Sequence, residues 1–392
     1  MANEERTKRI RILIVCVLVC ILIYVGLESN FFYRTERQIN FKLNGKVQED
    51  NGYYTGDLDW GIFEGEGVYT YYAGKTLSGH WKNGFLEGFG HGTYKSLGKY
   101  SGEFHHSLRN GQGTFTWNNG DLYIGEWKKD AISGAGKITW ANGDKYTGEF
   151  KKNQIHGKGK LKLASDKTYT GQYLSNEIQG EGKYTYTSVG KYTGNFLDSK
   201  RSGQGTFIWK NGDMYVGKWK DDAITGNGKV SFKNGDVLKG TFKAGKLIKG
   251  AYHTVTSKAI YTLTLDSGKV VSVKIKYSNG TMYSGEYAKN AFNGEGTIIY
   301  KNGDKYSGYL KNGIKQGEGY YKWKDGSKYE GQWKNDKMNG KGVYYYSSKI
   351  KAYKLDGKFK DNKPNGNCDY YKSRNESYTT KWKNGKCIKL VE

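Results

Sequence analysis

The fold class predicted for this 392-residue chain is an all-β array of stacked antiparallel β-hairpins, preceded by one amino-terminal transmembrane helix. Three observations predict it. Glycine occurs 57 times, tyrosine 35 and tryptophan 10, with a single proline, a composition rich in turn-formers and aromatics but short of the aliphatics that build helical bundles or α/β cores. Aromatic residues make up 15% of the chain and recur at fixed intervals, which supplies apolar surface to bury and argues against disorder. The third observation is a period: starting from Tyr54, the same phrase returns at Leu77, Tyr100, Tyr123, Tyr146, Tyr169, Tyr192, Tyr215 and Leu238, in steps of 23 residues. A period of this length means that each unit is one small supersecondary element.

The elements follow in chain order. Residues 1–11 form a basic start carrying Arg6, Lys8, Arg9 and Arg11, expected in the cytoplasm. Residues 12–27, "ILIVCVLVCILIYVGL", are unbroken in apolarity and span about 24 Å as a helix, close to a hydrocarbon core. They read as an uncleaved signal anchor; a cleaved signal peptide is the rival reading, weakened by the poor cleavage residues Glu28, Ser29 and Asn30. The expectation is a single-pass membrane protein with the repeats outside the cytoplasm. Residues 28–53 are expected to link the anchor to the array and cap it. Nine regular repeats fill 54–260, a degenerate one 261–282, four more 283–377, and a carboxyl-terminal cap 378–392.

Inside one unit, "YIGEWKKDAISGAGKITWANGDK" (123–145), two alternating stretches emerge. Tyr123, Gly125 and Trp127 share one face of a strand, and Gly134, Gly136, Ile138 and Trp140 share one face of the next. "KKDAIS" reads as a longer loop, while "ANGD" carries the Asn-Gly pair that favours a tight turn. Inner glycines are expected to leave room for neighbouring rings to lie flat, and the repeatedly apolar Phe63, Leu86, Ile132, Ile155, Ile178, Ile224 and Phe292 to fold back from the loops over the core. A lone hairpin is marginal in water, so each unit must bury its aromatic face against its neighbours, building a rod.

"YxGxW", then "GxG", an aromatic and "NGD" resembles the MORN repeat, the membrane occupation and recognition nexus, along nearly all of the chain after the anchor. The resemblance implies an antiparallel β assembly that serves as a scaffold or membrane-associated binding module. The unit from Tyr261 departs from the pattern: Leu263 stands where the first glycine belongs and the GxG pair is missing, which reads as a decayed repeat, a bend or a partner site. Choline- and glucan-binding repeats are a second comparison, disfavoured by the GxG and NGD signatures.

No catalytic constellation recurs. The six histidines His80, His91, His105, His106, His156 and His253 fall at different points of the repeat, with no carboxylate or thiol at a recurring offset, and no metal or cofactor site is predicted. "AGKT" (73–76) lacks the earlier glycine of a phosphate loop, and Glu66, Glu181, Glu295 and Glu318 lack an evident acid–base partner. The reading is therefore non-enzymatic. Cys368 and Cys387 are a candidate disulfide clipping the last repeat, or two unrelated thiols.

Charge is what remains for function. From Phe31 onward 59 Lys and Arg face 35 Asp and Glu, mostly as outer-face and loop lysines. Such a surface attracts anions, so the expected partner is an acidic protein or an anionic lipid surface, with an anionic glycan or wall polymer as the alternative and nucleic acid disfavoured. The candidate partner surface is Lys128, Lys129, Lys137, Lys151, Lys152, Lys218 and Lys220, with Ile124, Glu126, Asp130 and Thr139 also among the outward or loop positions of the unit.

Overall fold

The structure is a computed structural model that describes residues 25, 27, 29–39, 41 and 45–391. The apolar run expected to anchor the chain, 12–27, lies outside the described residues except for Val25 and Leu27; among the described residues no helix is long and apolar enough to cross a membrane. The chain forms two compact units, Met1–Thr187 with Phe196–Ser199, and Ser188–Asn195 with Lys200–Glu392.

In the first unit a helix over 29–39 leads into the short strand Val47–Glu49, which pairs with Gly52–Asp59. The helix packs on the first hairpin. Arg37 lies 4.4 Å above the Phe63 ring and pairs with Glu49 at 2.7 Å, and Gln38 Oε1 accepts the Gly61 N–H at 2.9 Å. From there each strand is antiparallel to the next through Glu177–Tyr186. In the second unit the same succession runs from Lys200–Trp209 to Lys386–Val391.

The unit from Tyr123 shows why these residues make this element. Strand Leu122–Lys128 turns through Lys129 and Asp130 into strand Ala131–Thr139. Both turn residues have positive φ, 49° and 65°, the backbone of a type I′ hairpin whose twist matches the strands. The loop is thus two residues long, and Ile132, expected in a loop, sits in the strand opposite Trp127, buried. At the other end Trp140 N–H donates to the Asp144 carbonyl at 2.9 Å and Asn142 Oδ1 accepts from Asp144 N–H at 3.0 Å, closing the Asn-Gly turn that the sequence predicts.

The core is a row of tyrosines. Tyr123 is fully buried, and its hydroxyl donates to the Glu126 carbonyl at 2.9 Å, three residues along the same strand. Tyr54, Tyr100, Tyr146, Tyr169, Tyr192, Tyr215, Tyr283, Tyr306 and Tyr329 repeat this bond. It explains why the position is tyrosine rather than phenylalanine: the register slips between Gly125 and Trp127, and the hydroxyl satisfies a carbonyl that the irregular ladder leaves over. Gly125 and Gly136 pair across the strands, and a Cβ on Gly136 would lie 2.5 Å from the Tyr123 hydroxyl. The ring therefore lies over a glycine pair.

Within and between neighbouring repeats of the first unit the rings meet edge to face. Tyr123 is 5.5 Å from Trp127 at 84° and 5.3 Å from Phe150 at 85°; Tyr146 repeats this with Phe150 and Tyr173, and Tyr169 with Tyr173 and Phe196. Each such pair adds about 0.5–1.5 kcal/mol to the area that it buries. The rings thus lie over the glycines as expected and meet one another edge to face, except that Tyr54 stacks on Phe63 and Tyr283 on Phe292 at 4.0 Å.

Where the tyrosine is missing, its space is refilled. Leu355 takes the ring position in the strand Lys354–Lys360, and there the second glycine of GxG is Cys368, whose Sγ points at Gly357. In the degenerate unit Leu263 pairs with Val273, and Val273 and Ile275 are buried. That hairpin, Ala259–Asp266 and Lys269–Tyr277, keeps full antiparallel pairing to both neighbours. Aliphatic side chains replace the glycines there, while Tyr261 keeps the ring position, partly buried.

The candidate clip between Cys368 and Cys387 is not formed: both are free, Cys368 buried and Cys387 exposed. Strand Ser377–Lys383 lies between their strands, with Cys368 opposite Thr380 and Cys387 opposite Trp382. Two strand spacings, about 9.6 Å, exceed the Cα separation a disulfide tolerates.

A candidate binding surface on the outward face

Each strand has its rings on one face, so alternate residues project from the other. In the first unit, register places Ile124, Lys137, Thr147, Lys160, Thr170 and Lys183 in one cross-strand row. All six are exposed. One lysine falls on every second strand, about 9.6 Å from the next. That exceeds the Debye length of about 8 Å at physiological ionic strength, so the row carries its charge with little mutual repulsion.

The second unit has its own cationic feature. Lys229 and Lys239 face each other across neighbouring strands, and with Lys249 they border a shallow trench of about 640 Å³. Gly217, Gly228, Gly240 and Gly250 line it, because the glycine row that makes room for rings on the inner face leaves the outer face low, with Gln204, Asn227 and Thr241 as polar borders.

The structure sorts the seven lysines read from sequence. All are exposed. Lys137 belongs to the outward row and Lys218 to the outward face of strand Met214–Lys220, opposite Gln204. Lys128, Lys151 and Lys220 end their strands, and Lys129 and Lys152 occupy hairpin turns with φ of 49°. Lys128, Lys129, Lys151 and Lys152 line a turn edge of the first unit, and Lys220 lies at a turn of the second. Lys160, Lys183 and Lys229 were missed although each follows the second glycine of its GxG, as Lys137 does; Lys239 and Lys249 join Lys229 only through strand register.

Two further residues expected to be available to a partner have structural work. Glu126 Oε1 accepts the Ala135 N–H at 3.3 Å, and its carboxylate covers Gly134, whose φ of 76° and close approach exclude a side chain. Asp130 accepts both the Arg109 N–H at 3.0 Å and its Nε at 2.9 Å, holding the guanidinium 4.2 Å above the Trp127 ring. Arg201, Asp222 and Trp219 repeat this staple in the second unit.

Carboxylate–histidine pairs also emerge that no sequence offset reveals. Glu66 lies 3.4 Å from His80, both exposed. Glu87 meets His105 at 3.0 Å and accepts the His106 N–H at 2.9 Å. Burial alone would raise the Glu87 carboxyl, but the His106 N–H and the two imidazoles outweigh it and hold it below its ordinary value. Burial also lowers the Lys75 ammonium, against the opposing pull of Asp130.

Comparison with known proteins agrees with the repeat reading. The MORN repeat family profile matches twelve segments: 54–76, 78–96, 100–122, 123–145, 146–167, 169–188, 192–214, 215–237, 283–305, 306–328, 329–349 and 356–375. It leaves 238–282 unmatched, which includes the unit whose glycines are replaced by Leu263 and Val273. Among curated proteins no sequence matches this chain significantly. Among solved structures, the TCP10 domain of Danio rerio CPAP in complex with a STIL peptide is similar at 13% identity over 57% of this chain and 90% of that one, with a TM-score of 0.25. The SAS-4 TCP domain of Drosophila melanogaster with a proline-rich motif of Ana2 follows at 14% identity, 36% and 77% coverage and a TM-score of 0.24. A streptogramin B lyase is similar at 12% identity, 61% and 88% coverage and a TM-score of 0.13. At such TM-scores these likenesses do not bear on function.

Proposed function

Because this chain belongs to the MORN repeat family, we propose that it is a non-catalytic, membrane-anchored scaffold whose outward lysines bind an acidic partner, an anionic lipid surface or an acidic protein face. The observation that carries this reading is the division of labour between the two faces. Rings and glycines are consumed by stacking, whereas the row Lys137, Lys160 and Lys183 and the trench lysines Lys229, Lys239 and Lys249 are exposed and outside the hairpin-holding bonds. The apolar run 12–27 is the proposed anchor, with the repeats on the far side of the membrane.

Binding of the polypeptide from Phe31 onward to vesicles containing phosphatidylserine, titrated with salt, tests the surface. A lysine near an anionic membrane contributes about 1 kcal/mol, so the triple variant Lys137→Gln, Lys160→Gln, Lys183→Gln should bind about 150-fold more weakly. Affinity unchanged by the triple variant and by salt contradicts the reading. For the anchor, protease treatment of intact cells carrying a tag after Glu392 should remove the tag; a protected tag reverses the orientation.

A further inference from the structure

We propose that Glu87, His105 and His106 form a binding site for a divalent transition metal of the zinc class. The three residues come from consecutive hairpins: Glu87 lies in strand Phe85–Tyr94, His105 ends strand Gly98–His105, and His106 is the first residue of the following turn. One donor atom from each lies within 4.8 Å of the others.

The carboxylate is placed by a tie between hairpins that does not itself need histidine. Glu64 accepts the Asn83 N–H at 2.9 Å one unit earlier, as Glu87 accepts the His106 N–H at 2.9 Å. What sets this unit apart is the pair of imidazoles that stands where the following units carry Lys128 and Lys129, or Lys151 and Lys152, the turn itself being His106 and Ser107. A carboxylate already held in position thus acquires two nitrogen donors.

Their arrangement suits a metal. Glu87 Oε2 lies 3.0 Å from His105 Nδ1, and accepting its proton fixes the tautomer that leaves the Nε2 lone pair facing His106. His106 Nδ1 lies 3.0 Å from that Nε2 and 3.3 Å from Glu87 Oε1. With metal–nitrogen bonds of about 2.0–2.1 Å, tetrahedral donors stand about 3.3 Å apart, within a few tenths of the separations of His106 Nδ1 from His105 Nε2 and from Glu87 Oε1. The imidazole–imidazole–carboxylate set favours Zn²⁺, Ni²⁺ and Cu²⁺ over Mg²⁺ or Ca²⁺, which prefer all-oxygen shells. Both histidine side chains are more than half exposed, at 63% and 58%, so positions remain open for water or a partner's donor. A bound ion would cross-link two hairpins at the turn edge and place a positive, exchangeable site there.

The test uses the full chain, stripped with a chelator and titrated with Zn²⁺ against a chromophoric competitor. The expected result is one Zn²⁺ per chain, abolished in the double variant His105→Gln, His106→Asn and weakened about 10- to 100-fold in Glu87→Gln. Asparagine tolerates the positive φ of position 106 and glutamine keeps an acceptor for the 106 N–H, so both variants should retain the wild-type circular dichroism. Co²⁺ in place of Zn²⁺ should give the intense visible absorption of a four-coordinate site in the wild type alone. No Zn²⁺ uptake by the wild type, or uptake unchanged in the double variant and in Glu87→Gln, overturns the proposal.

Discussion

Replacing Gly136 with alanine should reveal how tightly the tyrosine row is fitted. The new Cβ would lie 2.5 Å from the Tyr123 hydroxyl and 2.6 Å from its Cε2. Moving a fully buried ring aside costs roughly 1–3 kcal/mol, and loss of the 2.9 Å bond to the Glu126 carbonyl adds about 1 kcal/mol, a total of about 2–4 kcal/mol. Tyr123→Leu alone should cost a comparable amount, through the cavity and the orphaned carbonyl. The two losses should not add. Leu355 and Cys368 already combine a smaller residue at the ring position with a side chain at the second glycine, and both are buried at 1% and 2% exposure. The double variant Tyr123→Leu, Gly136→Ala should therefore be more stable than the sum of the singles by about 1–3 kcal/mol. Hydrogen exchange of the amides in Leu122–Lys128 and Ala131–Thr139 is the appropriate assay, since repeat arrays open locally. Strict additivity, or a Gly136→Ala variant with unchanged protection, would refute the steric account.

Three further outcomes follow from the same packing. Tyr173 has a buried hydroxyl with no hydrogen-bond partner, so Tyr173→Phe should stabilise by up to about 1 kcal/mol, seen as a raised melting temperature. Arg109→Met removes the charge held by Asp130 above Trp127 and should cost roughly 1–3 kcal/mol, discounted because Asp130 is 38% exposed; Arg201→Met, whose partner Asp222 is 50% exposed, should cost less in the same melts. Burial pushes Tyr146, Tyr169, Tyr215 and Tyr283 up to about 12. Because the folded value is raised, the stability tied to these groups is complete below the unfolded value of about 10 and is lost as the pH rises through about 12. Spectrophotometric titration should show exposed tyrosines ionising first and the core tyrosines only as the chain unfolds, and a single transition near the ordinary value would contradict this.

Much of the fold was legible because one phrase recurs at a constant step and its alternation shows which residues face inward. The Asn142-Gly143 turn could be read for the same reason, since its residue types announce their backbone. The turn at Lys129 and Asp130 could not: both adopt positive φ, and neither residue type signals a two-residue hairpin as glycine would. The work of the tyrosine hydroxyl was equally hidden, because it depends on a register slip of two residues between Gly125 and Trp127. On the binding surface, Lys137 was visible as an outward residue, and Lys160 and Lys183 follow it at the same place in the phrase 23 and 46 residues on; strand register adds that Thr147 and Thr170 stand between them in one row. Glu87 and His105 are separated by 18 positions and meet through the tie between successive hairpins, a contact that no motif within one repeat encodes.

The central claim is that the inner rings build the array while outward lysines meet the partner. Lysine acetylation of the folded chain, compared by mass spectrometry with and without anionic vesicles, tests it most directly. Lys137, Lys160, Lys183, Lys229, Lys239 and Lys249 should be shielded while the turn lysines Lys129 and Lys152 keep their reactivity. Shielding confined to the turn lysines, or no shielding at any lysine, would contradict the account.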